Sequence, residues 1–461
     1  MTAPSPVPPP VDPAAAAASS AAAAAASPSA PPGAPARSPA EPPPTPPTRL
    51  FNRDFTLLWQ GQLVSQLGTQ ASTIAMMYWT MQATGSATLL GMLGLVGALP
   101  AVLLGPVAGT VADRHSRRGI IVLSDLVRGV AVLAVAAALF LRPDATSLVV
   151  GVLFSVALLS GTVGAVFRPA IGAAIPDLVP PSRVAAANSL RQVSAQGSGF
   201  IGQAVGGVLF GVLGAPLLFL VDGVSFLVSA GSEVFIRIPQ RLPERTRSWR
   251  ETLAVYRADT MAGLRYVWGR PGMRAFVLTA SGFNFLVVPV VVLLPFYVSG
   301  QLGRHADWYG FLLSALSAGG VAGLVVAGAV RLEGRRRSTV LGGALVGAGL
   351  LTAVLGLVRD PLLALAVCFL MGVGMGMVNV FVVTLLQLST PGEMRGRVMG
   401  LALALSQAAM PLGMALGGIA GDLTGKDVGL IFGVCGGAAA LLSLGAATRP
   451  AFRRFLAGEE R

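Results

Sequence analysis

The chain from Phe51 onward alternates long apolar stretches with short polar breaks. An α-helix needs roughly 20 apolar residues to cross a hydrocarbon core about 30 Å thick, and twelve of the stretches reach that length. The pattern predicts an all-α polytopic membrane protein with about twelve transmembrane helices. The predicted centres lie near Ser65, Leu99, Val130, Ala157, Gly199, Val224, Leu286, Leu316, Val346, Val373, Leu405 and Gly436.

The two sets of six stretches share an internal repeat at an offset of 211 positions, at which Pro180 and Leu190 fall on Pro391 and Leu401. Three glycines of the fifth predicted helix likewise fall on three of the eleventh, and small residues let membrane helices approach closely. Parallel repeats place a cavity between the repeated units, so we expect two pseudo-symmetric six-helix bundles around a central cavity. The helix-packing candidates are Gly202, Gly206, Gly207, Gly413, Gly417 and Gly418.

Composition divides the chain into five segments. Residues 1–48 are rich in proline and alanine. Such sequence buries too little apolar surface to offset the entropy of ordering, and it predicts a disordered cytoplasmic tail. Residues 49–236 and 273–448 hold the two bundles. Residues 237–272 are predicted to form a basic cytoplasmic loop between the bundles, and residues 449–461 a second cytoplasmic tail.

The basic residues predict the orientation, because Lys and Arg accumulate in loops on the cytoplasmic side. If the amino terminus is cytoplasmic, most of the 33 Lys and Arg residues lie in the tails and loops of that side. The loops of the other side hold Arg142, Arg304, Arg359 and Lys426. We therefore expect both termini on the cytoplasmic face of a bacterial inner membrane.

The composition fits a protein whose main solvent is lipid. Of the 461 residues, 54% are hydrophobic and 11% are charged, whereas soluble domains carry about 25% charged residues. The net charge of +13 does not predict a nucleic-acid partner, because the arginines flank apolar segments instead of covering one face. Cys368 and Cys435 lie in apolar runs, so neither a disulfide framework nor a metal site is expected.

A motif follows the second predicted helix. It reads Gly105-Pro-Val-Ala-Gly109-Thr-Val-Ala-Asp113-Arg114-His115-Ser116-Arg117-Arg118. It resembles the signature between the second and third helices of the major facilitator superfamily, usually Gly-x3-Asp-Arg-x-Gly-Arg-Arg, with Ser116 in place of the last glycine. An aspartate there can face the positive amino end of the eleventh helix, predicted to start near Gly396. The resemblance implies a cytoplasmic gate formed by Gly109, Asp113, Arg114, Arg117 and Arg118; the alternative is that the arginines only fix topology.

Two further stretches resemble one branch of that superfamily, the drug:proton antiporters that include macrolide and siderophore (enterobactin-type) exporters. One runs from Phe51 to Gln62 at the start of the first helix, and another from Phe167 to Asp177 after the fourth. Exporters often carry Gly-Pro-x-x-Gly-Gly in the fifth helix, and this chain keeps the glycines with Gln203 in place of the proline. The resemblance implies efflux of hydrophobic or amphipathic molecules.

Two rows of polar side chains lie within the predicted helices. Helix one and helix five each carry amides spaced so that they share one helix face. A lipid-facing row of amides would be unfavourable, so both rows are expected to line the central cavity or to face each other; hydrogen bonding between helices is the alternative for each residue. The substrate-cavity candidates are Gln62, Gln66, Gln70, Thr73, Gln192, Gln196 and Gln203.

Ionisable groups at membrane depth are few, and such groups are costly and usually functional. Asp222 in the sixth predicted helix is the first candidate for a proton-coupling group, with a structural hydrogen bond to Ser225 or a neighbouring helix as the alternative. Asp125 and Arg128 in the third helix are further candidates, and their i, i+3 spacing allows them to neutralise each other. Glu233 is expected near the cytoplasmic end of helix six.

The function classes make different demands on the chain. An ATP-driven pump needs a phosphate-binding loop ending in Gly-Lys-Ser/Thr, but the single lysine, Lys426, precedes Asp427, so that class would require a separate ATPase subunit. An enzyme would need a clustered catalytic set, and His115 and His305 are expected on opposite sides of the membrane. A channel would not need the two-half repeat with gate loops.

We therefore expect a secondary active transporter that works by alternating access. The favoured function is proton-coupled export of hydrophobic or amphipathic small molecules such as drugs or macrolide-like compounds. The alternatives are a dedicated exporter of a siderophore-like metabolite and an importer of the same fold. The expected partners are the lipid bilayer, a small-molecule substrate and protons. Neither a cofactor nor a nucleic acid is expected, and the protein is expected to be a monomer.

Overall fold

The computed structural model describes residues 49–240, 249–330, 332–392 and 394–459. Within these ranges the chain forms fourteen α-helices and no β-strand. The predicted tail of residues 1–48 and residues 241–248 of the predicted inter-bundle loop lie outside the described residues. The helices are α1 (Arg53–Thr84), α2 (Ala87–Arg114), α3 (Arg117–Leu141), α4 (Thr146–Leu178), α5 (Val184–Glu233), α6 (Trp249–Gly269), α7 (Pro271–Phe296), α8 (Ala306–Ala329), α9 (Gly334–Leu355), α10 (Pro361–Ser389), α11 (Arg395–Gln407), α12 (Met410–Leu423), α13 (Val428–Thr448) and α14 (Pro450–Ala457).

The long helix α5 crosses the membrane twice, because it reverses at Gly214, where φ is 73° and ψ is 173°. A positive φ of this size is accessible to glycine at no steric cost. Before the reversal, Ser194 accepts a hydrogen bond from Trp59 at 2.7 Å and Gln203 meets Gln70. After it, the contacts with α1 run backwards, since Ser229 and Ser232 again lie near its start, beside Gly61.

With this reversal, the described chain contains twelve membrane crossings. Ten stretches of the described chain are long and apolar enough to cross a membrane, and one of them, Pro181–Glu233, holds both crossings of α5. The remaining crossing is α1, which has 32 residues but is less apolar because of its row of amides. Helices α11 and α12 form one crossing, interrupted at residues 408–409. All twelve predicted centres lie within these helices, so the predicted fold class is confirmed.

Three segments differ from the prediction. The stretch from Phe167 to Asp177 was expected after the fourth helix, but it lies inside α4, which continues to Leu178 despite Pro169 and Pro176. Part of the basic loop between the bundles forms α6. Part of the C-terminal tail forms α14, whose Phe455 is buried against Phe276 of α7 at a ring distance of 5.5 Å.

The connecting segments lie at two ends of the molecule. We call the end that carries the described residues 115–116, 179–183, 234–240, 249–270, 330, 332–333, 390–392 and 394 the basic end. The other end, called the opposite end, carries residues 85–86, 142–145, Gly214 and the segments 302–305, 356–360 and 424–427.

The repeated glycines pack in the same way in both halves. Gly206 lies against Ala71 of α1, and its repeat partner Gly417 lies against Pro289 of α7. A methyl group added at either position would come within 2.7 Å and 2.5 Å, respectively, of those residues. Gly202 and Gly413 show the same equivalence, with Gln70 of α1 and Phe285 of α7 as their neighbours.

The third glycine of each set joins the two halves. Gly207 of α5 packs on the backbone of Ala306 and Gly310 in α8, and Gly418 of α12 packs on the backbone of Ala87 in α2. A Cβ atom at Gly207 would lie 2.9 Å from the carbonyl oxygen of Ala306. These contacts lie on the opposite-end side of the helices. They hold the halves together there through two pseudo-symmetric pairs, α5 with α8 and α2 with α12.

Candidate functional site

A cluster of polar side chains is buried inside the first half, between α1, α3 and α5. The carboxylates of Asp125 and Glu233 are 0% and 1% exposed. Gln62 Nε2 donates to both, at 3.3 Å to Asp125 Oδ2 and 2.9 Å to Glu233 Oε1. The hydroxyl of Ser229 also lies between them, at 2.7 Å from Asp125 and 3.4 Å from Glu233. Two carboxylates from different helices therefore share one amide and one hydroxyl.

Arg128 and Asp125, whose spacing allows an ion pair, form none within 4 Å. The guanidinium of Arg128 instead lies over the ring of Phe167, with Cζ 4.7 Å from the ring centroid, and 5.9 Å from that of Phe226. It also fills the space beside Gly164, where a Cβ atom would lie 2.7 Å from Nη2. The i, i+3 spacing brings Arg128 near Asp125, but the guanidinium lies against the rings of Phe167 in α4 and Phe226 in α5.

Asp222 is buried about two helical turns before Ser229 in α5, and hydroxyl groups of α1 hold its carboxylate. Ser72 Oγ donates at 2.5 Å and Thr69 Oγ1 lies at 3.4 Å. Ser225 donates to the Asp222 backbone carbonyl instead of the carboxylate. Gly68 faces the same carboxylate, and a Cβ atom there would lie 2.7 Å from Asp222 Oδ1.

The two rows of amides meet at one point. Gln203 Nε2 of α5 donates to Gln70 Oε1 of α1 at 3.2 Å, and Ser317 of α8 donates to Gln203 Oε1 at 3.2 Å. Gln203 occupies the position at which the exporter motif has proline. In this chain that position links α1 and α5 to a helix of the other half.

The other members of the rows have different environments. Gln62 points into the buried carboxylate cluster, and Thr73 donates to the carbonyl of Thr69 within α1. Gln66 lines a small cavity together with Trp59 and Arg191.

Gln192 and Gln196 are exposed and lie on the same face of α5 as Gln203. That face turns towards the second half, because Gln203 on it contacts Ser317 of α8.

The motif that spans the end of α2 and the start of α3 joins four elements of the first half. Arg117 pairs with Asp177 at the end of α4 and donates to the carbonyl of Ala173 at 3.0 Å. Arg118 donates to the carbonyl of Val234 at the end of α5. Ser116 has a φ of −57° and accepts a hydrogen bond from Gly119, so serine fits this turn without strain.

The other members of the predicted gate lie in the last turns of α2. A Cβ atom at Gly109 would meet no atom within 4 Å. Asp113 and Arg114 are the last two residues of α2. The side chain of Asp113 lies outside the described residues, and so does its predicted contact with α11.

An aspartate that was not singled out in the sequence joins the halves at the opposite end. Asp422, at the end of α12, accepts hydrogen bonds from the backbone N–H groups of Ala87 and Thr88 at 3.0 Å and 2.9 Å. It also accepts one from Ser86 Oγ at 2.8 Å. Ser86 is the N-cap of α2. The carboxylate therefore caps a helix of the other half, where the helix dipole is positive.

Groups of three or more His, Cys, Asp or Glu side chains that could hold a metal ion are absent from the described part of the chain. The chemistry of the site is thus that of carboxylates, amides and hydroxyls in an apolar surrounding.

Comparison with known proteins agrees with this architecture. Residues 58–414 and 309–455 match the model of the Major Facilitator Superfamily. Macrolide efflux protein A of Streptococcus pyogenes is 27% identical over 242 residues, which cover 52% of this chain and 58% of that protein. The alignment thus spans little more than half the length of that relative.

A second relative is matched over more of its length. Multidrug efflux pump Tap of Mycolicibacterium fortuitum is 28% identical over 348 residues, covering 74% of this chain and 82% of that protein. Among solved structures, peptide transporter POT superposes with a TM-score of 0.67 at 18% identity, over 89% of this chain and 97% of that one. At that identity the likeness concerns the fold alone. With twelve crossings, two repeated halves and this family match, the chain belongs to the Major Facilitator Superfamily.

Proposed function

We propose that the protein is a secondary active transporter that exports hydrophobic or amphipathic small molecules by alternating access, in exchange for protons. The observation that carries the proposal is the cluster of Asp125, Glu233, Gln62 and Ser229 inside a half whose α5 also presents amides towards the other half. One helix thus links a buried ionisable cluster to a polar surface suited to a ligand.

Alternating access is supported by the contacts between the halves. Gly207, Gly418 and Asp422 close the opposite end, whereas Gln192 and Gln196 near the basic end are exposed. This arrangement suits a state that is open at the basic end. Because rigid halves can rock around a binding site at their interface, the state open at the other end requires these contacts to break.

A second latch is proposed for that other state. Asp422 of the eleventh crossing caps the amino end of α2, and Asp113 near the carboxyl end of α2 would cap the amino end of α11. The crossing α2 and the crossing formed by α11 and α12 would then meet through one carboxylate at each end. At the opposite end the carboxylate belongs to α12, and at the basic end it belongs to α2. Closure of the basic end by Asp113 would accompany release of Asp422.

Proton coupling is assigned to the first half. Two buried negative charges that share donors repel each other, so a proton held between Asp125 and Glu233 stabilises the pair. Asp222 remains a further candidate, although two hydroxyl groups already satisfy its carboxylate. Arg128 contacts aromatic rings. It lies one helical turn after Asp125 in α3, so the charge of that carboxylate acts on it.

The substrate class rests on the lining and on the relatives. Gln192, Gln196 and Gln203 offer neutral donors and acceptors among exposed apolar residues of α5 such as Val193 and Phe200. Such a surface suits a large molecule with few charges. The named relatives are a macrolide efflux protein and a multidrug efflux pump, which favours that class over peptides or sugars.

The proposed orientation places the basic end and both termini in the cytoplasm of a bacterium, because arginine-rich loops are retained there. The protein is proposed to act as a monomer in the inner membrane.

Expression in a drug-sensitive bacterium that lacks its main efflux pumps tests the proposal. We expect raised resistance to a macrolide and to at least one unrelated apolar drug, with lower intracellular accumulation of the labelled macrolide. Replacement of Gln196 by Leu should change the order of resistance among drugs, because this residue contacts substrate in the proposal.

Two outcomes distinguish the alternative functions. Increased sensitivity together with increased accumulation would indicate an importer. Unchanged resistance across the whole panel, with normal amounts of protein in the membrane, would favour an exporter dedicated to an endogenous metabolite.

A further inference from the structure

A cavity of about 540 Å³ opens at the basic end of the second half, between the ends of α7, α9, α10 and α11. Three arginines line it, each from a different part of the chain: Arg270 before α7, Arg337 in the first turn of α9, and Arg395 at the start of α11. Its wall also contains Thr390 and Leu388. The space is many times the roughly 30 Å³ that one water molecule occupies.

Among the described residues, no carboxylate lies within 4 Å of the basic nitrogens of these three arginines. The two ion pairs within 4 Å in the described part of the chain involve Arg117 and Arg397 instead. Arg270 Nη1 donates to the carbonyl of Ser389 at 3.0 Å, and Arg337 Nε donates to the carbonyl of Leu456 at 2.8 Å. These bonds to neutral carbonyls fix both guanidinium groups in place, and Glu333, one helical turn before Arg337, acts electrostatically on Arg337 from outside the lining.

The internal repeat shows what is missing. In the first half, Arg117 at the start of α3 pairs with Asp177 at the end of α4. The offset of 211 positions places Leu388 where Asp177 would be, at the end of α10. Leu388 is 75% exposed. Arginines also lie at the start of the equivalent helix α9, at a different offset, whereas an apolar side chain stands at the position of the acidic partner.

Two uncharged groups add hydrogen-bond donors to the same cavity. Thr390 is 2% exposed, and its Oγ1 has no partner, which is costly for a buried hydroxyl. The first turn of α11 begins at Arg395 after Met394, and no side chain caps it. The N–H group of Arg395 donates to the carbonyl of Gly392, but the positive dipole at the amino end of a helix still favours an anion.

Acidic residues near the cavity lie outside its lining. Glu333 precedes Arg337 by one helical turn, and Glu459 follows α14. The side chain of Glu393 lies outside the described residues. The lining itself combines three guanidinium groups, a buried hydroxyl and a helix start with two leucines, Leu385 and Leu388.

We propose that this cavity binds the phosphate group of an anionic ligand, supplied either by a phospholipid headgroup or by a soluble phosphate. Arginine forks match phosphate oxygens geometrically and bind them more strongly than neutral donors do. Basic pockets between membrane helices are suited to anionic headgroups, and exposed Leu388 offers an apolar surface beside the arginines. The proposal does not depend on the transport direction or substrate proposed above.

The test uses the purified, delipidated full-length protein in detergent. Its thermal unfolding midpoint is measured with phosphatidylglycerol, with inorganic phosphate and with potassium chloride at matched ionic strength, and apparent dissociation constants are obtained from titrations. We expect phosphatidylglycerol, inorganic phosphate or both to raise the midpoint beyond the effect of chloride. Stabilisation by inorganic phosphate identifies a site that binds the phosphate group without the rest of a lipid. If phosphatidylglycerol stabilises the protein and inorganic phosphate does not, the ligand is the lipid headgroup.

Three variants locate the effect. R395Q should weaken the binding of the stabilising ligand at least tenfold. T390V should fold as well as the native chain, because it removes an unpartnered buried hydroxyl, yet it should show a smaller ligand-induced shift. R336Q is the matched control, since Arg336 is exposed on the same turn of α9 and does not line the cavity. No ligand effect beyond chloride, or an equal loss in R336Q, would overturn the proposal.

Discussion

The carboxylate of Asp422 accepts a hydrogen bond from the hydroxyl of Ser86 at 2.8 Å, across the interface between the two halves. Ser86 is the N-cap of α2, and the same carboxylate accepts two backbone N–H groups of the first turn. Three donors of one half are thus satisfied by one side chain of the other. Because hydrogen bonds to a charged group contribute about 1.5–3 kcal/mol each at most, this contact is strong enough to bias a conformational equilibrium and weak enough to be released.

Asp422→Asn should open the opposite end more often. The amide keeps one acceptor oxygen but loses the charge, so we expect the closed state to lose about 1–2 kcal/mol, roughly a five- to thirtyfold population shift. Spin labels at residues 144 and 359, one in each half, should report a longer distance. Asp427→Asn is the matched control, because Asp427 caps the start of α13 within its own half. An unchanged distance distribution in Asp422→Asn would contradict the latch.

Asp113→Asn should act in the opposite direction. In the proposed cycle Asp113 closes the basic end, so its loss should favour the state in which the opposite end stays shut. The same pair of labels should then keep the short distance even when substrate is added, and transport should fall while binding from the basic end persists. A distance that lengthens as it does in Asp422→Asn would show that Asp113 is not the counterpart of Asp422.

The close approach of Gly418 to α2 predicts a large effect of one methyl group. An alanine there would overlap the carbonyl of Ala87, and overpacking of this kind costs about 1–3 kcal/mol. We expect Gly418→Ala to lower the thermal midpoint and to separate the halves at the opposite end. Gly437→Ala in α13 should have little effect, since a Cβ atom there meets nothing within 4 Å. Equal effects of the two variants would argue against the packing role.

Gln203 offers a test of the amide link between the halves. Gln203→Leu removes the hydrogen bonds to Gln70 and Ser317, and each net contribution is about 0.5–1.5 kcal/mol. We expect a lower thermal midpoint and a lower rate of macrolide transport. Gln192→Leu lies on the same face without these bonds, so it should alter substrate affinity and leave the midpoint unchanged. Equal midpoints for both variants would place Gln203 among the substrate contacts alone.

Much of the fold follows from the sequence because membrane helices have a length that hydropathy reveals. The twelve centres were predicted, and so were the paired glycines, since a repeat places equivalent residues at equivalent interfaces. Gln70 and Gln203 were expected to face the cavity or each other, and they meet. These features depend on periodicity along one helix, which a sequence displays directly.

The contacts that a sequence displays poorly are those between distant segments. The i, i+3 spacing allowed Asp125 to pair with Arg128 on one helix face, but Ser229 and Gln62 from other helices hydrogen-bond to it instead. Asp422 lies at a helix end, where acidic residues are common, so its position alone did not indicate a role. Its partners lie more than 300 positions earlier in the chain. For α14, the spacing of Phe452, Phe455 and Leu456 was a usable sign of a buried helix face.

Proton movement in proteoliposomes tests the central claim most directly. Vesicles with an acidic lumen and a trapped pH dye receive a macrolide, and the account predicts that its entry raises the lumenal pH. The double variant Asp125→Asn with Glu233→Gln should abolish that change while still exchanging labelled for unlabelled macrolide, and Asp144→Asn, an exposed loop acid, should behave like the native chain. Unchanged proton movement in the double variant would contradict the assignment of coupling to this cluster.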